Sequence, residues 1–228
     1  GSLSGSFTST GTAELILFYS VLLFLSSELF RVMVLRRDGT NLRRLFLILT
    51  IPALLLVLGF RNPLAGAEVV FIDVGQGDAV LLEQNGAFAL IDAGEREAAD
   101  GLVAYLQAAG VAKLDLLVMT HPHADHIGGM QAVLDAFPVD RAVLPDFAKA
   151  PMPTTSTFLN LLDAIREKQI PTVAARAGDV FPLGEGTLTV LGDGVAAENL
   201  NDISLVTLFE APGLRCLSSG DGEKAVED

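Results

Sequence analysis

All three histidines of this 228-residue chain fall within six positions, in the run Thr120-His121-Pro122-His123-Ala124-Asp125-His126-Ile127-Gly128-Gly129. The apolar stretch KLDLLVMT (113–120) precedes the run, and residues 126–137 after it have helical spacing. The cluster therefore belongs on a strand-to-helix loop, where rigid elements aim side chains at a common point. His121 and His123 are two apart and can converge on one metal from an extended segment. Asp125 and His126, as the chain turns into the helix, can aim at a second metal. Two metals roughly 3.5–4 Å apart can clamp both oxygens of a displacement. Imidazole with carboxylate suits zinc, with manganese or iron as alternatives. The competing readings are a solvated polar loop and a metal-binding tract without catalysis.

The elements around the cluster alternate between short strands and helices. EVVFIDV (68–74) is a β-branched strand, Gly75-Gln76-Gly77-Asp78 a tight turn, and AVLLEQ (79–84) pairs back. Asn85-Gly86 is a strong hairpin turn leading into AFALIDAG (87–94). Residues 98–109 read as a helix with Leu102, Val103 and Leu106 on one side and Gly110 as its stop. RAVLP (141–145) is a further strand. A Pro/Thr-rich loop (151–157) leads to a helix striped with Phe158, Leu161, Leu162 and Ile165. Strands at 171–175, 179–182, 187–191, 203–210 and 214–219 complete the pattern. Strands come in hairpins as well as between helices, which predicts a mixed α/β layered sandwich.

Charge divides the chain. The whole carries 28 acidic and 15 basic residues, a net −13, with a mean hydropathy of +0.48. Six arginines and three acids lie before Glu68, leaving nine basic against 25 acidic residues after it, a balance of −16. Leu15–Ser27 and Leu45–Phe60 are uncharged, and Arg36, Arg37, Arg43 and Arg44 lie in the short loop between them. A span needs about 20 mostly apolar residues, which the first run reaches if Glu28 and Arg31 pair on one helix face. Residues 15–60 are thus expected to be two transmembrane helices. The arginine loop would be cytoplasmic by the positive-inside rule, and everything after Phe60 on the outer side. Buried or amphipathic soluble helices are the alternative. Residues 1–14 read as a flank whose leading Gly-Ser is a cloning scar or the edge of a longer protein. Residues 61–67 (RNPLAGA) read as a linker. The mean hydropathy excludes a disordered chain. One cysteine, Cys216, excludes an intrachain disulfide and a cysteine-built zinc finger, and reads as a core thiol. The acidic balance excludes a generic DNA-coating protein.

H-x-H-x-D-H after an apolar strand resembles the signature of the metallo-β-lactamase fold. Residues 71–79 (FIDVGQGDA), 90–94 (LIDAG), 114–130, 201–206 (NDISLV) and 217–221 (LSSGD) resemble the hydrolase domain of ComEC-type competence proteins. Those proteins carry a polytopic membrane domain before the hydrolase, which suits the upstream hairpin. The resemblance implies an αββα sandwich over 68–228 with an incomplete second half. His121, His123, Asp125 and His126 match the metal motif, and Asp221 the carboxylate that bridges two metals. Asp92 matches the residue that braces the histidine loop. Asp73, Gln76 and Asp78 line the site, and Asn201 and Asp202 stand where most hydrolases of the fold have a further histidine. No His follows His126. The family's late histidine would lie beyond Asp228, so the chain is expected to be a fragment with an incomplete second site and an exposed sheet edge.

The function implied is phosphodiester (DNA) hydrolysis in a DNA-uptake machine, with two zinc ions or manganese, Asp125 catalytic, and a metal-bound hydroxide attacking phosphorus. Single- or double-stranded DNA, the membrane and other uptake components are the partners implied. Two rivals stand beside it: a small-molecule hydrolase of lactonase or thioesterase type, which suits the acidity better, and a non-catalytic metal-binding domain of a transporter.

Overall fold

The computed structural model describes residues 66–194 and 199–222, all within the unit Leu64–Asp228. The expected membrane hairpin (15–60) lies outside them. Among the described residues no helix is long and apolar enough to cross a membrane.

Six strands form the first sheet in sequential order: β1 (Ala67–Phe71), β2 (Val80–Gln84), β3 (Ala87–Ile91), β4 (Leu116–Val118), β5 (Ala142–Leu144) and β6 (Thr172–Ala174). The first three are antiparallel, because tight turns join them. β3 through β6 are parallel, because helices cross between them. The crossovers contain α1 (Ala99–Ala108), the short helices α2 (Ala124–Ile127) and α3 (Met130–Ala136), and α4 (Ser156–Glu167). Thr155 caps α4 by accepting the Phe158 N–H at 3.4 Å. A second, antiparallel sheet follows in the order β10-β9-β8-β7, with β7 at Val180–Leu183, β8 at Gly186–Gly192, β9 at Val206–Ala211 and β10 at Leu214–Ser218.

Strand periodicity divides the core in two. Leu81, Leu90 and Leu117 face the helices and pack with Leu102, Leu106, Met130, Val133, Phe158 and Leu161. Their neighbours Val80, Leu82, Leu116 and Val118 face the other way, against Phe181, Leu188, Val190 and Phe209 of the second sheet. The central strands β2 to β5 are therefore largely buried on both faces, which is why they read as continuous apolar runs, while the edge strands β1 and β6 stay partly exposed. The result is three layers: helices, sheet, sheet.

Several boundaries differ from the expected ones, each for a local reason. Ala67 already pairs with Gln84, so the expected linker 61–67 ends inside β1. The expected strand 87–94 stops at Ile91, because Asp92 turns the chain at φ +56°. The helix expected over 126–137 is two helices, starting at Ala124 and broken at Gly128-Gly129. At those two glycines a Cβ would lie 2.4 Å from the Arg96 nitrogen and 2.3 Å from the Ala93 oxygen. Close backbone approach to the 93–96 loop breaks the helix there. Ile203, expected to begin a strand, ends a 3-10 turn (Leu200–Ile203), and β9 starts at Val206.

The register fixes where the loops emerge. Ile91 pairs with Val118, and the Asp92 N–H donates to the Val118 carbonyl at 2.9 Å. The residues that follow β3 and β4 therefore leave the sheet side by side, at the carboxyl ends of parallel strands where sites of α/β folds form.

Candidate metal centre

Asp92 is fully buried in a left-handed backbone conformation. That conformation is uncommon for a non-glycine residue, with Asp among the more tolerant. The turn points its carboxylate inward, beneath the histidine loop. Oδ1 accepts the Thr120 backbone N–H at 2.8 Å, and Oδ2 accepts the Thr120 hydroxyl at 2.5 Å and His126 Nδ1 at 2.8 Å. Three donors on one buried carboxylate lock the loop after β4 to the end of β3. The Ala93 N–H adds a bond to the His126 carbonyl at 2.7 Å, and the Gly129 N–H one to the Gly94 carbonyl at 3.1 Å.

His123 is the N-cap of α2, and the single turn that follows carries His126 back over His121. The ring centroids of His121 and His126 are 4.2 Å apart, and those of His121 and His123 4.8 Å. His121 and His126 are both buried. Asp221 arrives from the far sheet, three residues after β10. Gly220, at φ +52°, rests so closely on Thr120 that a Cβ would lie 2.7 Å from its hydroxyl. This contact delivers Asp221 Oδ1 to 3.2 Å from His126 Nε2. His121, His126 and Asp221 each offer a ligand atom within 4.8 Å of the others. The spacing alone suggests His121 with His123 and Asp125 with His126; among the described residues the group that gathers is His121, His126 and Asp221 instead. Asp125 is part exposed at its rim, its Oδ2 4.0 Å from His126 Nε2.

The other expected residues divide. Gly77 brings the Gly75–Asp78 turn onto the site, because a Cβ there would lie 1.7 Å from the Asp125 carbonyl oxygen. Gln76 and Asp78 are exposed on that turn, and Asp73 accepts the Gly75 N–H at 3.1 Å. Asn201 and Asp202 lie in the 3-10 turn before Ser204, and the Leu205 N–H donates to the Thr120 carbonyl at 3.1 Å. Their loop is thus tied to the histidine loop through the backbone, while the Asn201 side-chain oxygen is buried without a hydrogen-bond partner. Thr120 is the residue that sequence reasoning passed over. It touches Asp92, His121 and Gly220, and its only sequence signal is its place before the first histidine.

The electrostatics follow from burial. Burial, with the charges of His126 and His123, pushes His121 down to about 3. For His126 burial acts in the same direction, but the hydrogen bond and charge of Asp92, with Asp221 and Asp125, outweigh it and raise it to about 9. Burial raises Asp92, while His126 and Thr120 pull it down. We assign the proton of this pair to His126, because the carboxylate already accepts three donors.

His121 Nε2 is buried and has no hydrogen-bond partner. A buried polar atom without a partner is costly, and a lone pair beside a second imidazole and a carboxylate is a donor set that suits a divalent metal. The residues present fit one.

A family model described as "Metallo-beta-lactamase superfamily" matches residues 72–227. ComE operon protein 3 of Bacillus subtilis is 28% identical over 229 residues, covering 91% of this chain and 29% of that protein. Competence protein ComA of Neisseria gonorrhoeae is 43% identical over 88 residues, covering 36% of this chain and 13% of that protein. The chain thus spans less than a third of the length of these relatives. A solved structure of a metallo-β-lactamase with a HARLDQ motif, from Cronobacter sakazakii, aligns with a TM-score of 0.48 and 19% identity, covering 66% of this chain and 58% of the other.

Proposed function

The chain belongs to the metallo-β-lactamase superfamily, and from that premise we propose that it is the phosphodiester-hydrolysing part of a competence protein, acting on DNA. The observation that carries the reading is the convergence of His121, His126 and Asp221 around a buried, unpartnered imidazole nitrogen. The likeness to two competence proteins supports DNA as the substrate class.

His121, His126 and Asp221, with His123 and Asp125 beside them, would hold a divalent metal, which would supply Lewis acidity and lower the pKa of a water. We take two zinc ions as the complement, with manganese as the alternative. Asp92 holds His126 with Nε2 turned to the centre and is too deeply buried to meet substrate. Asp125 is part exposed, so its carboxylate can accept the proton of the attacking water. As the new P–O bond forms and the ester P–O bond breaks, the same carboxylate can return that proton to the departing oxygen. Gln76 and Asp78 stand on the exposed turn beside Asp125, where they can contact the substrate's flanking groups. The upstream hairpin (15–60) would anchor this part to the inner membrane, on its outer side, next to other uptake components.

The acidity of residues 68–228 favours a second reading, a small uncharged substrate. Zinc- or manganese-loaded chain assayed on a single-stranded oligonucleotide and on a lactone separates the two. Oligonucleotide cleavage abolished by Asp125→Ala and His123→Ala supports the DNA reading. Lactone turnover alone supports the small-molecule one, and metal uptake without any turnover supports a non-catalytic domain.

A further inference from the structure

We propose that Thr120 is a positioning residue that sets the tautomer of His121: its hydroxyl relays Asp92 to Nδ1 and leaves the Nε2 lone pair free for a divalent metal. Thr120 is fully buried. Its hydroxyl oxygen lies 2.5 Å from Asp92 Oδ2 and 3.1 Å from His121 Nδ1. A hydroxyl has one proton to donate and lone pairs to accept with. Asp92 as a carboxylate is an acceptor only, and the two other donors on it, the Thr120 N–H and His126 Nδ1, fix it in that role. The Thr120 proton therefore goes to Asp92, and the oxygen is left to accept a proton from His121 Nδ1. Neutral imidazole carries one N–H, so Nε2 holds the lone pair.

The reverse arrangement fits the surroundings worse. If the hydroxyl donated to His121 Nδ1, Asp92 Oδ2 would lose a donor. The proton would sit on His121 Nε2, a buried atom with no acceptor in reach. The hydroxyl has little freedom to swing between the two. Gly220 presses on it from one side, since a Cβ there would lie 2.8 Å from the Thr120 Cβ. The Leu205 N–H pins its backbone at 3.1 Å. One buried carboxylate thus orients two imidazoles, His126 directly and His121 through a hydroxyl. Outer partners of this kind set ligand orientation and basicity in metal sites.

The inference rests on reading His121 as a ligand, so the tautomer is read in the metal-free chain and affinity separately. Long-range proton–nitrogen NMR correlation of the imidazoles identifies which nitrogen carries the proton. Wild type and Thr120→Ser are expected to carry it on His121 Nδ1. In Thr120→Val a population with the proton on Nε2 is expected, and zinc affinity, measured by chelator competition, is expected to fall about 10–100-fold. Thr120→Ser is expected to keep wild-type affinity, which a purely volumetric role for the threonine methyl would not explain. A wild-type proton on Nε2 overturns the proposal, and so does a Thr120→Val protein with unchanged tautomer or unchanged affinity. If Thr120→Val does not fold, the wild-type tautomer and the Thr120→Ser affinity still decide. A wild-type chain with the proton on Nδ1 that retains no zinc overturns the metal-centre reading and, with it, the purpose assigned to the relay.

Discussion

Replacing Asp92 by asparagine removes one charge and keeps the shape. The amide oxygen can still accept the Thr120 N–H in place of Oδ1. The amide nitrogen then stands in for Oδ2 and presents donors to two groups that donate to it in the native protein, the Thr120 hydroxyl and His126 Nδ1. The hydroxyl can turn its lone pair towards the amide, but His126 can satisfy it only by giving up the Nδ1 proton. The proton of the neutral ring then sits on Nε2, the atom 3.2 Å from Asp221 and aimed at the metal position. Metal needs the other tautomer, whose Nδ1–H would face the amide's donors where the native ring has a carboxylate to accept it. Loss of an orienting partner typically weakens metal affinity 10–100-fold, about 1.4–2.7 kcal/mol. Folding stability without metal should change less clearly, because two effects oppose. A hydrogen bond to a charged group contributes about 1.5–3 kcal/mol, whereas burial disfavours the Asp92 charge that asparagine lacks. The expected net loss is about 1 kcal/mol, within the usual range for point mutants. Chelator competition reads the affinity and urea unfolding the stability. A folded Asp92→Asn protein with wild-type zinc affinity would refute the orienting role.

Three further perturbations test the neighbouring parts. Gly220→Ala puts a Cβ within 2.8 Å of Thr120 at φ +52°, so Asp221 should be displaced, with weaker zinc binding and a stability loss of about 1–3 kcal/mol by urea unfolding. Gly77→Ala, whose Cβ would meet the Asp125 carbonyl oxygen at φ +88°, should push the Gly75–Asp78 turn away from the site; substrate KM is the readout, with wild-type metal affinity expected. Metal binding should release a proton: His126 sits at about 9 and must lose its proton to bind, while His121 at about 3 is already neutral. Zinc affinity should therefore rise about tenfold per pH unit up to about pH 9 and then level off, as read by calorimetry in buffers of different ionisation enthalpy. The same two groups bound metal-free stability. The lowered His121 contributes stability above its unfolded value of 6.5 that is lost as pH falls towards 3. The raised His126 contributes stability below 6.5 that is lost as pH rises through about 9.

Much of this arrangement was legible in residue order. Alternating and continuous apolar runs located all ten strands of the described residues, because burial on one or two faces imposes its own period. The histidine run was legible because its ligands are local, within one strand-to-helix loop. Asp92 and Asp221 are far from it in sequence, and only their resemblance to a family motif brought them in. Register explains what periodicity could not: β3 beside β4 puts Asp92 under Thr120, and Gly220 against Thr120 brings Asp221 from the other sheet. The break at Gly128-Gly129 was signalled by the glycine pair itself but masked by apolar residues at helical spacing on both sides, and close approach of the 93–96 loop makes it necessary. Thr120 escaped because a threonine before a histidine has many ordinary roles. Its importance lies in contacts to residues 28 and 100 positions away.

The most direct test of the metal centre is the zinc content of the purified chain after dialysis, wild type beside His126→Ala, counted by elemental mass spectrometry. Gathering of His121, His126 and Asp221 as ligands predicts at least one zinc retained per wild-type chain and its loss in the variant. A wild-type chain that retains none, or a variant that retains as much, would contradict the reading of this cluster as a metal centre.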